Sequence, residues 1–134
     1  MEKNFSTMET TLIINTYAMK GANMSKLNIL WTTDSEETIT TLLLPYATNS
    51  LKNDWWDEVN IIIWGGSTKL ISKSEKIQNF ITIMMENGVT IEACKYCADE
   101  YNCTEILNNL GVTVKYMGDP FTGYIKDDSH LITI

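Results

Sequence analysis

From Lys26 onward, short apolar runs alternate with stretches in which apolar residues recur every three or four positions. Leu27 to Thr32 is the first run, of the kind that forms a strand buried in a parallel sheet. Thr33 and Glu36 behind it fit a capping box, which satisfies free backbone N–H groups where a helix starts. Ile39, Leu42, Leu43, Tyr46 and Ala47 follow at helical spacing and give that helix one apolar face. Pro45 lies inside this pattern and, lacking an N–H, is expected to kink or shorten the helix.

The alternation then repeats. Val59 to Trp64 reads as a strand ended by Gly65-Gly66, and Ser72 with Glu75 fits a second capping box. Ile77, Phe80, Ile81, Met84 and Met85 form the next apolar stripe, stopped at Asn87-Gly88 because glycine accepts a left-handed backbone. Val89 to Ala93 is a third strand, Ala98 to Leu110 a third helix closed by Gly111, and Val112 to Tyr116 a fourth strand. A turn is expected around Gly118-Asp119-Pro120, and Leu131 to Ile134 reads as a fifth strand.

Repeated strand–helix–strand units require right-handed crossovers, which lay helices on a parallel sheet. The pattern therefore predicts an α/β fold, a three-layer α/β/α sandwich around a parallel five-stranded sheet. It also divides the chain. Residues 26–134 carry the periodic domain, whereas 1–25 read as a loosely attached extension with at most a short strand at Thr10 to Tyr17.

Composition narrows the function. The 134 residues are 44% hydrophobic and 20% charged, the balance of one globular domain. The net charge of −7, with no basic run to offset it, disfavours a nucleic-acid partner. No apolar stretch has the length to span a bilayer, so no membrane association is expected. Met1 to Met24 lacks the basic start and apolar centre of a secretory signal. Three cysteines, an odd number, in a chain large enough to fold without staples favour a reducing compartment, hence the cytoplasm. No cofactor is expected either. Neither G-x-G-x-x-G nor a P-loop occurs. The first strand–helix loop, Thr32 to Glu37, carries three carboxylates and no glycine, which opposes a flavin phosphate.

In parallel sheets, chemistry collects outside the carboxyl ends of the strands. Four segments fall there: Thr32 to Ser35, Trp64 to Ser67, Cys94 to Ala98, and Met117 to Tyr124. The third holds the candidate catalytic residues. Cys94 ends a strand and Cys97 lies near the start of the next helix, where the helix dipole and free N–H groups favour a thiolate. Cys94 is the expected reactive thiol and Cys97 an assisting or resolving one. The alternative is that both are small buried apolar residues, the usual fate of a free cysteine. Cys103 shares helical spacing with Ile106, Leu107 and Leu110 and reads as core filling. A thioredoxin-type site is disfavoured, because the pair follows the third strand. No metal is expected, since a zinc site needs four ligands and His130 is the single histidine. Trp64 is expected to pack on the sheet, and Trp55 and Trp56 either to pack or to make a subunit contact.

Gly88-Val89-Thr90-Ile91-Glu92-Ala93-Cys94, followed by Lys95-Tyr96-Cys97-Ala98, resembles the DsrE/DsrF-like family, in particular its small stand-alone YchN-like members. Trp64-Gly65, Val112 to Gly118 with Pro120, and the terminal Leu131-Ile132-Thr133-Ile134 are similar to that family too, over residues 26–134. The resemblance implies a homo-oligomer, trimer or hexamer. It also implies sulfur carried as a persulfide on Cys94, exchanged with donor and acceptor proteins and without a cofactor. Cys97 departs from the one-cysteine pattern and could reduce the persulfide, releasing sulfide and leaving a Cys94–Cys97 disulfide. The expected protein is a small sulfur-relay-like persulfide carrier, sulfurtransferase-like if it is active. The alternatives are an oligomeric ligand-binding module with structural cysteines and a Cys94–Cys97 redox sensor.

Overall fold

The structure, a computed structural model, describes residues 24–134. Most of the 1–25 extension and the strand expected at Thr10 to Tyr17 lie outside the described residues. Ser25 is tied to the domain: its backbone N–H and hydroxyl both donate to the Asp57 carboxylate, at 2.9 and 3.2 Å.

Five parallel strands form one sheet in the order β4-β3-β2-β1-β5. They are β1 (Lys26–Trp31), β2 (Glu58–Ile63), β3 (Thr90–Cys94), β4 (Thr113–Lys115) and β5 (His130–Thr133). Each lies within a residue or two of the run that announced it. Side chains alternate across a strand, and the register stacks Ile29, Ile61 and Ile91 in one row and Trp31, Ile63 and Ala93 in the next. These residues are 3% exposed or less and form the main core with the helices on that face.

The order explains the layers. From β1 to β4 the chain steps in one direction, so right-handed crossovers put all the intervening helices on one face. The step from β4 to β5 runs back past β1 to the other edge, and its helix must lie on the opposite face. That helix is α7 (Gly118–Lys126), where only a turn was expected. Helices thus cover both faces, as the α/β/α reading requires, but the second face carries far less cover.

Several helix boundaries differ from the expected ones. Ser35, not Thr33, caps α1 (Glu36–Thr38): its hydroxyl accepts from Thr38 N–H at 3.1 Å, while Thr33 accepts from Ser35 N–H. The irregularity expected at Pro45 takes the form of a π-turn, Ile39–Leu43, closed by Leu44 N–H on the Ile39 carbonyl. Pro45 follows directly as the second residue of α2 (Leu44–Lys52), so the wider π-turn sits where proline has no N–H to give to the turn before it. A helix absent from the sequence reading, α3 (Gly66–Lys73), precedes α4 (Glu75–Glu86). With α3 in place, Ser74 rather than Ser72 caps α4, accepting from Ile77 N–H, and Ser72 donates back to the Lys69 carbonyl. The third expected helix is two, α5 (Lys95–Glu100) and α6 (Thr104–Leu110). Asn102, at φ 53°, makes the break, a left-handed conformation that asparagine tolerates better than most residues.

Candidate functional site

Cys94 is the last residue of β3 and the N-cap of α5. Strand alternation points it to the second face, two residues beyond Glu92, where it is 4% exposed. It packs in a small cluster with Ile62 and Met117, bordered by Leu30, Trp64, Cys97 and Tyr124. Phe121 of α7 meets Trp64 edge-on at 5.4 Å between ring centres. This second cluster is separate from the main core and lies at the carboxyl ends of β2 and β3. Tyr96 and Tyr116 stand exposed nearby in sequence, next to Cys97 and the end of β4.

Cys97 is half-buried and packs against the cluster that holds Cys94. Burial pushes its thiol above the ordinary value, and the neighbouring Cys94 adds to the rise; a hydrogen bond from the Gly65 backbone N–H acts the other way. Cys97 therefore keeps its proton at neutral pH. Gly65 reaches this position at φ 77°, ψ −140°, a conformation that L side chains rarely adopt. A Cβ there would meet nothing within 4 Å, so the cost of adding one is in the backbone alone. Gly65→Ala is expected to lose about 1–3 kcal/mol in urea unfolding and to raise the Cys97 pKa further as the N–H moves away. Thiol titration of the folded variant checks the second effect.

Toward the amino ends of the strands, the same face carries a row of polar side chains. Asn28 and Asn60 occupy the third position of their strands, in register, and are 0% and 3% exposed. Asn60 donates to Asn28 Oδ1 at 3.2 Å and to Glu92 Oε1 at 3.1 Å, and accepts from Thr90 Oγ1 at 2.8 Å. Tyr124 of α7 donates to the same Glu92 oxygen at 2.6 Å, and Lys115 pairs with the other at 2.7 Å. A cleft of about 550 Å³ opens beside the row, bounded by Lys26, Glu58, Asn60, Glu92 and Tyr124 among others. No motif in the sequence announces the row. An asparagine at the same place in two otherwise apolar strands was its available signal.

Burial pushes the Glu92 carboxyl up, but hydrogen bonds from Lys115, Tyr124 and Asn60 outweigh it and hold the group below 4.5. A carboxylate depressed on folding stabilises the native state above its unfolded pKa, and that contribution fades as pH falls through the folded value. Glu92→Gln is expected to flatten the acid side of the stability profile below pH 4.5, read by thermal unfolding across pH.

The structure brings Cys94 and Cys97 together and separates Cys103, which is fully buried in the main core as the N-cap of α6, its thiol pushed up to about 11 by burial. His130 starts β5, meeting Trp56 edge-on at 5.3 Å. Among the described residues, no three of histidine, cysteine, aspartate and glutamate converge as a metal-binding group. Of the four expected loops, Met117 to Tyr124 is mostly helix, and Thr32–Thr33 is closed by two N–H bonds to the Ile134 carbonyl. Trp56 packs on the core and donates to Tyr46, whereas Trp55 is 56% exposed. Among the described residues no helix is long and apolar enough to cross a membrane.

No family model matches the chain, and no curated protein does. Two solved structures are similar. A conserved protein of unknown function from Bacteroides thetaiotaomicron is 44% identical, with a TM-score of 0.80 over 84% of this chain and 97% of that one. The YchN protein from E. coli is 14% identical, with a TM-score of 0.64 over 83% of this chain and all of that one, a likeness of fold alone. The chain belongs to the family of the Bacteroides protein and has the YchN, DsrE-like fold.

Proposed function

We propose that this protein handles sulfur through Cys94, as a DsrE-like persulfide carrier. The observation that carries the reading is the Cys94–Cys97 contact at the carboxyl end of β3, inside a small apolar cluster of its own. In uptake, the Cys94 thiolate attacks the outer sulfur of a donor persulfide, R–S–SH. A Cys94 S–S bond forms, the donor S–S bond breaks, and the donor leaves as a thiolate that takes up a proton. No cofactor is needed.

Cys97 acts next. Its sulfur can attack the inner sulfur of the persulfide, giving a Cys94–Cys97 disulfide and releasing hydrogen sulfide. The attacking form is the thiolate, which burial suppresses at Cys97. The persulfide therefore outlives its formation, and handing the sulfur to an acceptor competes with its release. The proposal extends to sulfur donor and acceptor proteins, a trimeric or hexameric state and a cytoplasmic location.

The test is intact-mass and peptide mass spectrometry of the reduced chain after incubation with a cysteine desulfurase and cysteine. One added sulfur on Cys94 is the expected result. A second reading, structural cysteines in a binding module, rests on the 4% exposure of Cys94. It requires native Cys94 to resist both the sulfur donor and a small thiol reagent, and fast labelling at Cys94 rules it out.

A further inference from the structure

The second-face cluster holds three sulfur atoms from two places in the chain. Cys94 ends β3, Cys97 lies in the first turn of α5, and Met117 follows β4 as the N-cap of α7. Met117 is 1% exposed although it sits between a strand and a helix, and it shares the buried cluster with Cys94. The remaining neighbours, Ile62, Leu30, Trp64 and Tyr124, are apolar apart from the indole nitrogen and the Tyr124 hydroxyl, which is spent on Glu92. We propose that Cys94, Cys97 and Met117 form a low-coordinate site for a soft monovalent cation, with Cu(I) as the ion that fits it.

The donor set decides the class of ion. Two thiolates and a thioether are soft ligands, the combination that selects Cu(I) among biological metals, whereas carboxylates, carbonyls and water suit harder ions. A tetrahedral Zn(II) site would need a fourth ligand, commonly an imidazole or another thiolate. Cys103 is sealed in the main core, and His130 begins β5 against Trp56. Glu92, the carboxylate two residues before Cys94, is already engaged by Lys115, Tyr124 and Asn60. The apolar walls also disfavour ions that retain bound water. Cu(I) tolerates two or three sulfur ligands and asks for nothing further.

Binding replaces the two thiol protons with the metal, and both protons leave to solvent. The Gly65 N–H already aimed at Cys97 remains as a donor to the metal-bound sulfur, the kind of outer hydrogen bond that orients a ligand. The site does not depend on the sulfur-carrier reading. Cys97 and Met117 are dispensable for uptake of sulfur on Cys94 but are ligands here.

The test uses the reduced full chain, kept anaerobic with a non-thiol reductant, in competition with a chromophoric Cu(I) chelator. Expected are one Cu(I) per chain and a three-sulfur first shell by X-ray absorption. Met117→Leu keeps the buried volume and is expected to weaken binding at least roughly tenfold, since even partners outside the first shell cost that much. Cys97→Ser should weaken it further. The proposal is overturned if the chelator retains the copper, if Met117→Leu binds as tightly as the parent, or if equimolar Zn(II) displaces Cu(I). Near-UV circular dichroism of each variant shows that a lost site is not a lost fold.

Discussion

Cys94→Ser is expected to abolish sulfur uptake while leaving the fold intact, and Cys97→Ser to lengthen the life of the persulfide. The first follows from chemistry, because a serine hydroxyl is not a nucleophile toward a sulfane sulfur at neutral pH, and neither of the other cysteines can replace Cys94. Cys103 is fully buried with its thiol at about 11, and Cys97 is held protonated. Serine is close in size to cysteine, so the cluster of Ile62, Met117 and Leu30 loses little packing. The second follows from the contact between the two sulfurs, which makes Cys97 the thiol best placed to open a Cys94 persulfide. The readout is a time course of intact mass and released sulfide. The parent should show added sulfur that decays to a disulfide with one sulfide released, Cys97→Ser added sulfur that persists, and Cys94→Ser neither. Sulfur added to Cys94→Ser as fast as to the parent would remove Cys94 from the reaction.

Trp31→Ala is expected to be the most damaging single substitution in the core, at about 3–5 kcal/mol. Trp31 ends β1, is fully buried, and lies between Ile63 across the register and the helices of the first face. Its indole N–H donates to the Thr33 carbonyl at 3.0 Å, so truncation also strips a partner from the turn that leads to the Ser35 cap. Domains of this kind are stable by only about 5–15 kcal/mol, so the variant should have a much lower urea midpoint and is close to unfolding. Trp55, 56% exposed, supplies the control. Its replacement by alanine should cost under about 1 kcal/mol, as surface changes usually do. Equal losses at both positions would contradict the core described here.

The strands were legible because each is a short apolar run and its partner strand is another. The helices were legible where an apolar stripe persists over several turns, as in α4 with Ile77, Ile81 and Met84 buried. Two were not. The α3 segment starts at Gly66, and its polar Ser67 and Thr68 are buried, which reads as loop in a pattern scored by hydrophobicity. The α7 segment contains Gly118, Pro120 and Gly123 and buries no residue fully, so its turn signals outweigh a weak stripe. Asn102 broke the third helix through a local left-handed conformation that helical periodicity does not register.

The candidate site divides in the same way. That Cys94 stands at the carboxyl end of a parallel strand, three residues before Cys97, was a property of the chain, because strand ends and spacing are local. Four things came only with the tertiary structure: the contact between the two thiols, the Gly65 N–H on Cys97, Met117 in the same cluster, and the row from Asn28 through Asn60 to Glu92 and Tyr124. The last three join segments from different strands and loops, and the crossover that runs back from β4 to β5 brings α7 onto that face. Periodicity reports which side of its own element a residue faces. Which distant element meets it there is set by strand order and crossover direction, and those emerge only when the sheet closes.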